Sequence, residues 1–268
     1  MKELYSKKIP LYYKSDEINL VEGDMLDIIK SIKRESIDVI FADPPYFLSN
    51  DGITCKSGKM VSVNKGEWDR IPPGSNDVNE KHKFNRRWIR MCKRVLKQNG
   101  TIWISGTLHN IYSIGMALEQ EGFKIINNIT WQNPPPNLAC RCFTHSTETI
   151  LWAKKNSKKT KHLFNYKLMK DKNNGKQMKD VWQGSLTKKT EKIEGVHPTQ
   201  KPEYLLENII ASSTEPGYII LDPFCGSGTS GVVAIRHGCR YIGIDSCSDY
   251  LEIAKKRLEK ELYAGKNI

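Results

Sequence analysis

Apolar residues along this chain gather in short runs that alternate with amphipathic stretches, the signature of strands interleaved with helices. Residues 18–21 form the first apolar run. Met25, Leu26, Ile28, Ile29 and Ile32 then recur at helical spacing, which places Asp24 as a helix N-cap. Residues 37–42 read as a buried strand that Pro44 and Pro45 forbid to continue, so it stops at Asp43. A polar stretch over 47–79, rich in Gly, Ser, Asn and Asp, predicts a long loop that leaves from this strand end and could close over a bound molecule. Residues 84–96 predict an amphipathic helix with Arg86, Arg87, Arg90, Lys93 and Arg94 on its polar face, ended by Asn99-Gly100.

Further along, strands are expected at 101–105 and 123–131, with a helix over 111–121 between them closed by Gly122. The run Asn-Pro-Pro-Pro-Asn from residue 133 is a hard break, and 147–153 is a strand expected to lie antiparallel to its neighbour. Residues 202–212 form a helix with Pro202 in its first turn. A strand ending at Leu221-Asp222, a glycine-rich turn, a helix over 231–237, a strand over 240–245 and a helix over 250–262 complete the chain. The alternation predicts an α/β fold, a mostly parallel twisted sheet flanked by helices.

The 268 residues suffice for one full core, and 38% hydrophobic with 27% charged residues is an ordinary globular balance. The formal charge of +12 points to a polyanionic partner. Thirteen lysines lie within 154–192 against Asp171, Asp180 and Glu191, while the rest of the chain holds 29 basic and 27 acidic residues. A solvated lysine face needs no ligand, but this segregation, with Phe164, Tyr166 and Trp182 interleaved, favours nucleic acid. The seven cysteines include no zinc-like spacing and read as reduced thiols of a cytoplasmic protein; no metal is implied. No signal-peptide core and no membrane-length apolar run is visible.

Two strand ends carry candidate chemistry. At Asp43-Pro44-Pro45-Tyr46 a carboxylate and a proline carbonyl outside any ladder offer two acceptors for an exocyclic amino group, and Tyr46 offers a face for stacking. A plain Pro-Pro turn with an Asp cap would give the same residues. At the second end, Gly226, Gly228 and Gly231 spell GxGxxG, with Asp245 nineteen residues after Gly226, as in a nucleotide-binding βαβ unit. A dinucleotide dehydrogenase would share that spacing. Against it, only one helix follows Asp245, and Asp222 sets a carboxylate beside the turn, which opposes a pyrophosphate but suits a cation such as S-adenosylmethionine.

Asp-Pro-Pro-Tyr at 43–46, His-Pro-Thr-Gln-Lys-Pro at 197–202 and Asp-Pro-Phe-Cys-Gly-Ser-Gly-Thr at 222–229, in that order, resemble the β-class amino-methyltransferases of DNA. The stretches F-A-D-P-P-Y-F-L-S-N, W-I-S-G-T-L-H-N-I-Y-S and F-T-H-S-T-E-T-I-L-W-A look like the second, single-strand-tolerant adenine methyltransferase of GATC-specific restriction systems. The resemblance implies a circularly permuted methyltransferase fold with a catalytic half over 1–153, a basic target-recognition segment over 154–196 and a cofactor half over 197–268. It implies that Asp43 and the Pro44 carbonyl hold adenine N6 within the Asp43, Pro44, Pro45, Tyr46 motif, with Tyr46 stacked on a flipped base. Asp222, Phe224, Gly226 and Gly228 would line the methionine part of S-adenosylmethionine, and Thr199 and Lys201 its carboxylate. Asp245 would bind the ribose, and Asp24 with Met25 the adenine. DNA is the implied partner, and a homodimer is common in the class. Cytosine-N4 methylation is the nearest alternative, although such members usually carry Ser where Asp43 stands; an RNA amino-methyltransferase is less favoured. A catalytically silent nucleic-acid-binding module would be an alternative of another kind.

Overall fold

The computed structural model describes residues 4–46, 53–56, 59–62, 78–132 and 143–266. Its strands are β1 (Leu11–Lys14), β2 (Ile18–Glu22), β3 (Ile37–Ala42), β4 (Ile53–Lys56), β5 (Lys59–Ser62), β6 (Leu96–Gly106), β7 (Phe123–Gln132), β8 (Thr147–Lys155), β9 (Val181–Gln183), β10 (Ile219–Asp222) and β11 (Arg240–Asp245). Its helices are α1 (Met25–Ile28), α2 (Val78–Val95), α3 (Ile111–Gln120), α4 (Tyr166–Lys172), α5 (Glu203–Ser213), α6 (Thr229–Arg236) and α7 (Ser248–Lys266). Nine strands form one sheet in the order β1-β2-β11-β10-β3-β6-β8-β7-β9. All but β1 and β8 run the same way. The last two strands of the chain thus sit in the middle, with β2 beyond β11 and β3 beside β10.

Both faces of this sheet are covered, which is why its central strands read as unbroken apolar runs. In β3, Ile37, Ile40 and Ala42 face one core with Trp88, Ile89 and Cys92 of α2, while Val39 and Phe41 face the other with Leu206, Ile209 and Ile210 of α5. In the neighbouring strand β10, Ile219 and Leu221 face the first core and Ile220 the second.

Several expected boundaries move. Asn99-Gly100 does not end α2, which stops at Val95 and passes directly into β6. Ile37 pairs with Leu96 but Val39 with Thr101, so the turn-like dipeptide lies in a bulge of the strand. α2 begins at Val78, ahead of any apolar periodicity, and the polar stretch before it contains the β4–β5 hairpin. Whether that stretch closes over a substrate falls outside the described residues, as does the Asn-Pro-Pro-Pro-Asn run. Pro202 caps α5 rather than entering it, and α6 starts at Thr229, two residues before Gly231. The expected helix after Asp24 is a single turn continued by a 3₁₀ turn over Ile29–Ser31.

The basic segment is woven into the same body. Strand β9 pairs with the end of β7, and Met169 and Trp182 are buried. Its lysines do not form one patch: Lys172, on α4, pairs with Glu207 of α5 at 3.2 Å. Lys154 and Lys155 close β8 at the end where β6 begins, whereas Lys188, Lys189 and Lys192 precede 197–201, beyond the opposite end.

Gly231 lies where α6 meets β11: a Cβ there would come 2.6 Å from the Tyr241 ring and 2.8 Å from Leu258. Alanine normally favours a helix over glycine by about 1 kcal/mol. Gly231→Ala should instead destabilise the fold by about 1–3 kcal/mol through overpacking. Urea unfolding checks this, and an unchanged or raised midpoint would mean that the contact relaxes freely.

Candidate active site

β3 and β10 are adjacent and parallel, with Val39 opposite Ile220 and Ile40 opposite Leu221. Their C-terminal ends, Asp43-Pro44 and Asp222-Pro223, therefore open into one cleft of about 280 Å³. Its lining brings together Asp43, Pro45, Asp24, Met25, Thr199, Lys201, Asp222, Phe224, Gly226 and Asp245. Pro44, Tyr46 and Gly228 stand behind the wall, the first two buried and Gly228 against Ala254.

Asp43 is the hub of one half. The Tyr46 hydroxyl donates to Oδ1 at 2.6 Å, the Ser105 hydroxyl donates to the same oxygen, and the Lys201 ammonium donates to Oδ2 at 2.7 Å. Lys201 is 7% exposed and lies 3.5 Å from Glu148, to which Tyr46 also turns its hydroxyl at 3.4 Å. Burial alone would weaken the Lys201 ammonium, but Asp43, Glu148 and Tyr46 hold its pKa well above the ordinary lysine value. Burial, reinforced by Asp43, pushes the Tyr46 phenol well up as well, so it remains a donor. Asn110 steadies the turn from below, its amide reaching the Pro45 carbonyl at 3.4 Å.

Two expectations change here. Lys201 was expected at a cofactor carboxylate, yet its ammonium ends on Asp43, because the short strand ends bring 197–201 across the top of β3. Tyr46 was expected to offer an open stacking face, yet it is 8% exposed with its hydroxyl turned inward. Ser105 and Glu148 were not singled out. Ser105 had a signal: it is the polar end of a buried strand whose Ile104 pairs with Ala42, one residue from Asp43.

The other half is the glycine turn. Gly226 and Gly228 take φ of 48° and 71°, left-handed values that side chains disfavour. Asp222, 2% exposed, accepts from the Phe224 amide at 3.0 Å and from the Ser230 hydroxyl. Burial, with Asp43 and Asp245 adding, still pushes its pKa up to about 7 against those hydrogen bonds. Asp245 accepts from the amides of Gly226 at 2.8 Å and Cys247 at 2.9 Å and is likewise raised by burial. Asp24 accepts from the Leu26 amide at 2.7 Å, the cap that its position predicted. Phe224 meets Trp88 edge-on at 5.6 Å, and His197, packed on Tyr250, stays neutral because burial lowers its pKa to about 4. Burial raises the Cys225 thiol well above its ordinary value, so it is no nucleophile.

This half fits a cationic nucleoside. Two desolvated carboxylates face a cleft whose lysine is already committed to Asp43; a ligand ammonium would relieve Asp222, and ligand hydroxyls could donate to Asp245. The left-handed turn lets a ligand approach backbone, and Phe224 supplies apolar contact.

Comparison with known proteins agrees. The family model described as DNA methylase matches residues 37–256. The type II methyltransferase M2.DpnII of Streptococcus pneumoniae is 66% identical over 252 residues, covering 93% of this chain and 92% of the relative. The crystal structure of the M1.HpyAVI–SAM complex superposes with a TM-score of 0.63 at 28% identity, covering 90% of this chain and all of the other. The PvuII cytosine-N4-specific DNA methyltransferase shares the fold with a TM-score of 0.72 at 18% identity, covering 96% of this chain and 94% of that one. With its acid-proline strand end and glycine turn opening on one cleft, this chain belongs to the DNA methylase family and is a DNA methyltransferase that uses S-adenosylmethionine.

Proposed function

We propose that the enzyme methylates N6 of adenine, in GATC and on single strands as well as duplexes. The observation that carries this is the environment of Asp43. A carboxylate has roughly four acceptor positions, and Tyr46, Ser105 and Lys201 occupy three of those on Asp43. One remains for an amino hydrogen, and the Pro44 carbonyl is suited to the second. An aspartate rather than serine at this position favours adenine over cytosine.

S-adenosylmethionine, when bound, would supply an electrophilic methyl on sulfur and leave as a neutral thioether. Asp222, Phe224 and Gly226 would hold its methionine part, Thr199 its carboxylate, Asp245 the ribose, and Asp24 with Met25 its adenine. The N6 lone pair is delocalised into the base and is a weak nucleophile. Acceptors at Asp43 and Pro44 favour a tetrahedral nitrogen with that pair aimed at the methyl carbon, a stabilisation realised in the transition state. The nitrogen becomes cationic as the bond to the methyl forms and the carbon–sulfur bond breaks, and its excess proton then passes to water. Asp43 and Glu148 together outweigh the Lys201 charge, so the cluster stabilises that cation. Tyr46 orients Asp43 through its hydroxyl. Free thiols at Cys92, Cys225, Cys239 and Cys247 support a reducing, cytoplasmic setting.

Methyl transfer to single- and double-stranded oligonucleotides with GATC or a scrambled site should give N6-methyladenine only in GATC. In the same assay Asp43→Ala should lower kcat by about 10²–10³-fold or more, with cofactor affinity within about threefold by calorimetry, a change of about 0.7 kcal/mol. Methylcytosine as product, or parallel loss of cofactor binding, would overturn the assignment.

Because Asp222 must ionise to meet a ligand cation and its pKa is raised to about 7, cofactor affinity should rise as pH increases toward 7 and fall again as the ligand ammonium itself loses its proton, near the ordinary α-amino value of about 8. Calorimetry from pH 5.5 to 8.5 reads this, and Asp222→Asn should bind weakly with no such rise. A flat wild-type profile would remove Asp222 from ammonium binding.

Lys188 and Lys189 are exposed, and Lys192 lies close enough to disfavour a charge on His197. Replacing all three by Gln should weaken DNA binding and reduce the slope of log K against log salt by about two. An unchanged slope would return these lysines to an ordinary solvated face.

A further inference from the structure

β8 joins two different places. Glu148, near its start, belongs to the Asp43 cluster, and Lys155, its last residue, lies at the opposite end of the sheet. Seven residues of strand separate them, about 23 Å at 3.3 Å per residue. Around Lys155 is a concavity of about 570 Å³ formed where β3, β6 and β7 begin, with Arg34, Arg90, Lys93, Arg94 and Lys155 in its lining. Among the described residues Glu35 is the only carboxylate in that lining. Glu121, beside it, is engaged by Arg86 at 3.0 Å and Arg90 at 2.8 Å.

Several of these cations are poorly matched. Lys155 is 7% exposed and has Glu35 at 3.3 Å as its ion-pair partner. Arg94 spends one end of its guanidinium on the carbonyls of Ile29 and Ile32, while its buried Nε has no acceptor among the described residues. Arg34, which is exposed, has no ion pair among the described residues, and its charge disfavours that of Arg94 beyond the effect of burial. Lys158 and Lys159 extend the basic surface on a loop pinned at this end, with the Asn156 amide on the Gly122 carbonyl at 3.0 Å and the Thr160 hydroxyl on the Gln98 carbonyl at 3.0 Å. Like charges held together with an unmet buried guanidinium donor favour an anion, and guanidinium forks suit phosphate oxygens.

We propose that this basal groove is a second, non-catalytic phosphate-binding site, which holds nucleic-acid backbone at a distance from the base being methylated. Charges contributed by α2, β8 and the segments preceding β3 and following β8 match a chain of phosphates better than one small anion. At 3.4 Å per nucleotide, a strand leaving the cleft needs on the order of seven further nucleotides to reach the groove. The groove thus adds affinity for long DNA alone, either along one strand or through a second segment.

The test compares the wild type with the triple variant Arg34→Gln, Lys158→Gln, Lys159→Gln, whose changed positions are all exposed, after matching their thermal midpoints. Binding of a short single-site oligonucleotide and of DNA several times longer is measured across a salt series, together with methylation of the short one. The variant should lose about tenfold in affinity for long DNA at low salt, with a slope shallower by about two to three. Its binding and methylation of the short oligonucleotide should stay within twofold. A parallel thermal-shift titration with pyrophosphate tests free phosphate as the source. Loss of a pyrophosphate response without any change on long DNA would overturn the nucleic-acid assignment. No effect in either arm would overturn the site itself, and an equal loss on the short oligonucleotide would merge these residues with the catalytic cleft. A wild type that does not methylate the short oligonucleotide would count against the methyltransferase reading alone, since the binding arms stay readable.

Discussion

The pairing of β3 with β10 is the constraint on which this molecule depends. Two segments about 180 residues apart in sequence lie side by side, Val39 against Ile220 and Ile40 against Leu221. Because both strands run the same way, the acid-proline end and the glycine-turn end open at one edge of the sheet. The Asp38 carboxylate reinforces the junction at the strand starts, accepting from the Ile219 amide at 2.9 Å and from Lys97 at 2.6 Å. A slip of one residue would turn Ile219 and Leu221 toward the wrong core and move Asp222 to the other face. The apolar character of both faces therefore fixes the catalytic geometry as well as stability.

Within the cleft, two carboxylates of the same residue type are set to different tasks by their surroundings. Asp43 is surrounded by donors, one of them a full cation, so it is prepared as an acceptor before any substrate arrives. Asp222 has no ion pair among the described residues and is held up to about 7 by burial, which suits it to a cationic ligand. Lys201 keeps these roles apart. Had its ammonium turned to Asp222, the cofactor side would be satisfied in advance and Asp43 left as an unpaired charge beside Glu148.

Much of this was legible in the chain, for physical reasons that also mark the limit. β3 and β10 are largely apolar strands whose acid ends run into proline, at Asp43-Pro44 and Asp222-Pro223, and that pattern is visible in the chain. The cap at Asp24 is local and held. The surroundings of Lys201 and Tyr46 were not legible: their burial depends on which strands stand side by side, and nothing near Thr199-Gln200-Lys201 encodes a partner 158 residues away. Ser105 and Glu148 are polar residues at the ends of apolar strands, a pattern shared by many solvent-facing positions. Asn99-Gly100 is a strong turn signal that tertiary pairing overrode, drawing it into β6 as a bulge.

Charge count and charge position carry different information here. The surplus of lysine in 154–192 reads as one basic patch along the sequence, but β8 delivers its beginning to the base of the sheet, while Lys192 lies close enough to His197, in the cleft lining, to disfavour its charge. At the base those lysines join arginines of α2 that the sequence had assigned only to the polar face of an amphipathic helix. Basic side chains also gather where no residue of the cleft lies, so the net charge of +12 cannot be read as the footprint of the reacting base alone. Long DNA meets two separated basic surfaces joined by one strand, and only the one at the C-terminal edge adjoins the chemistry.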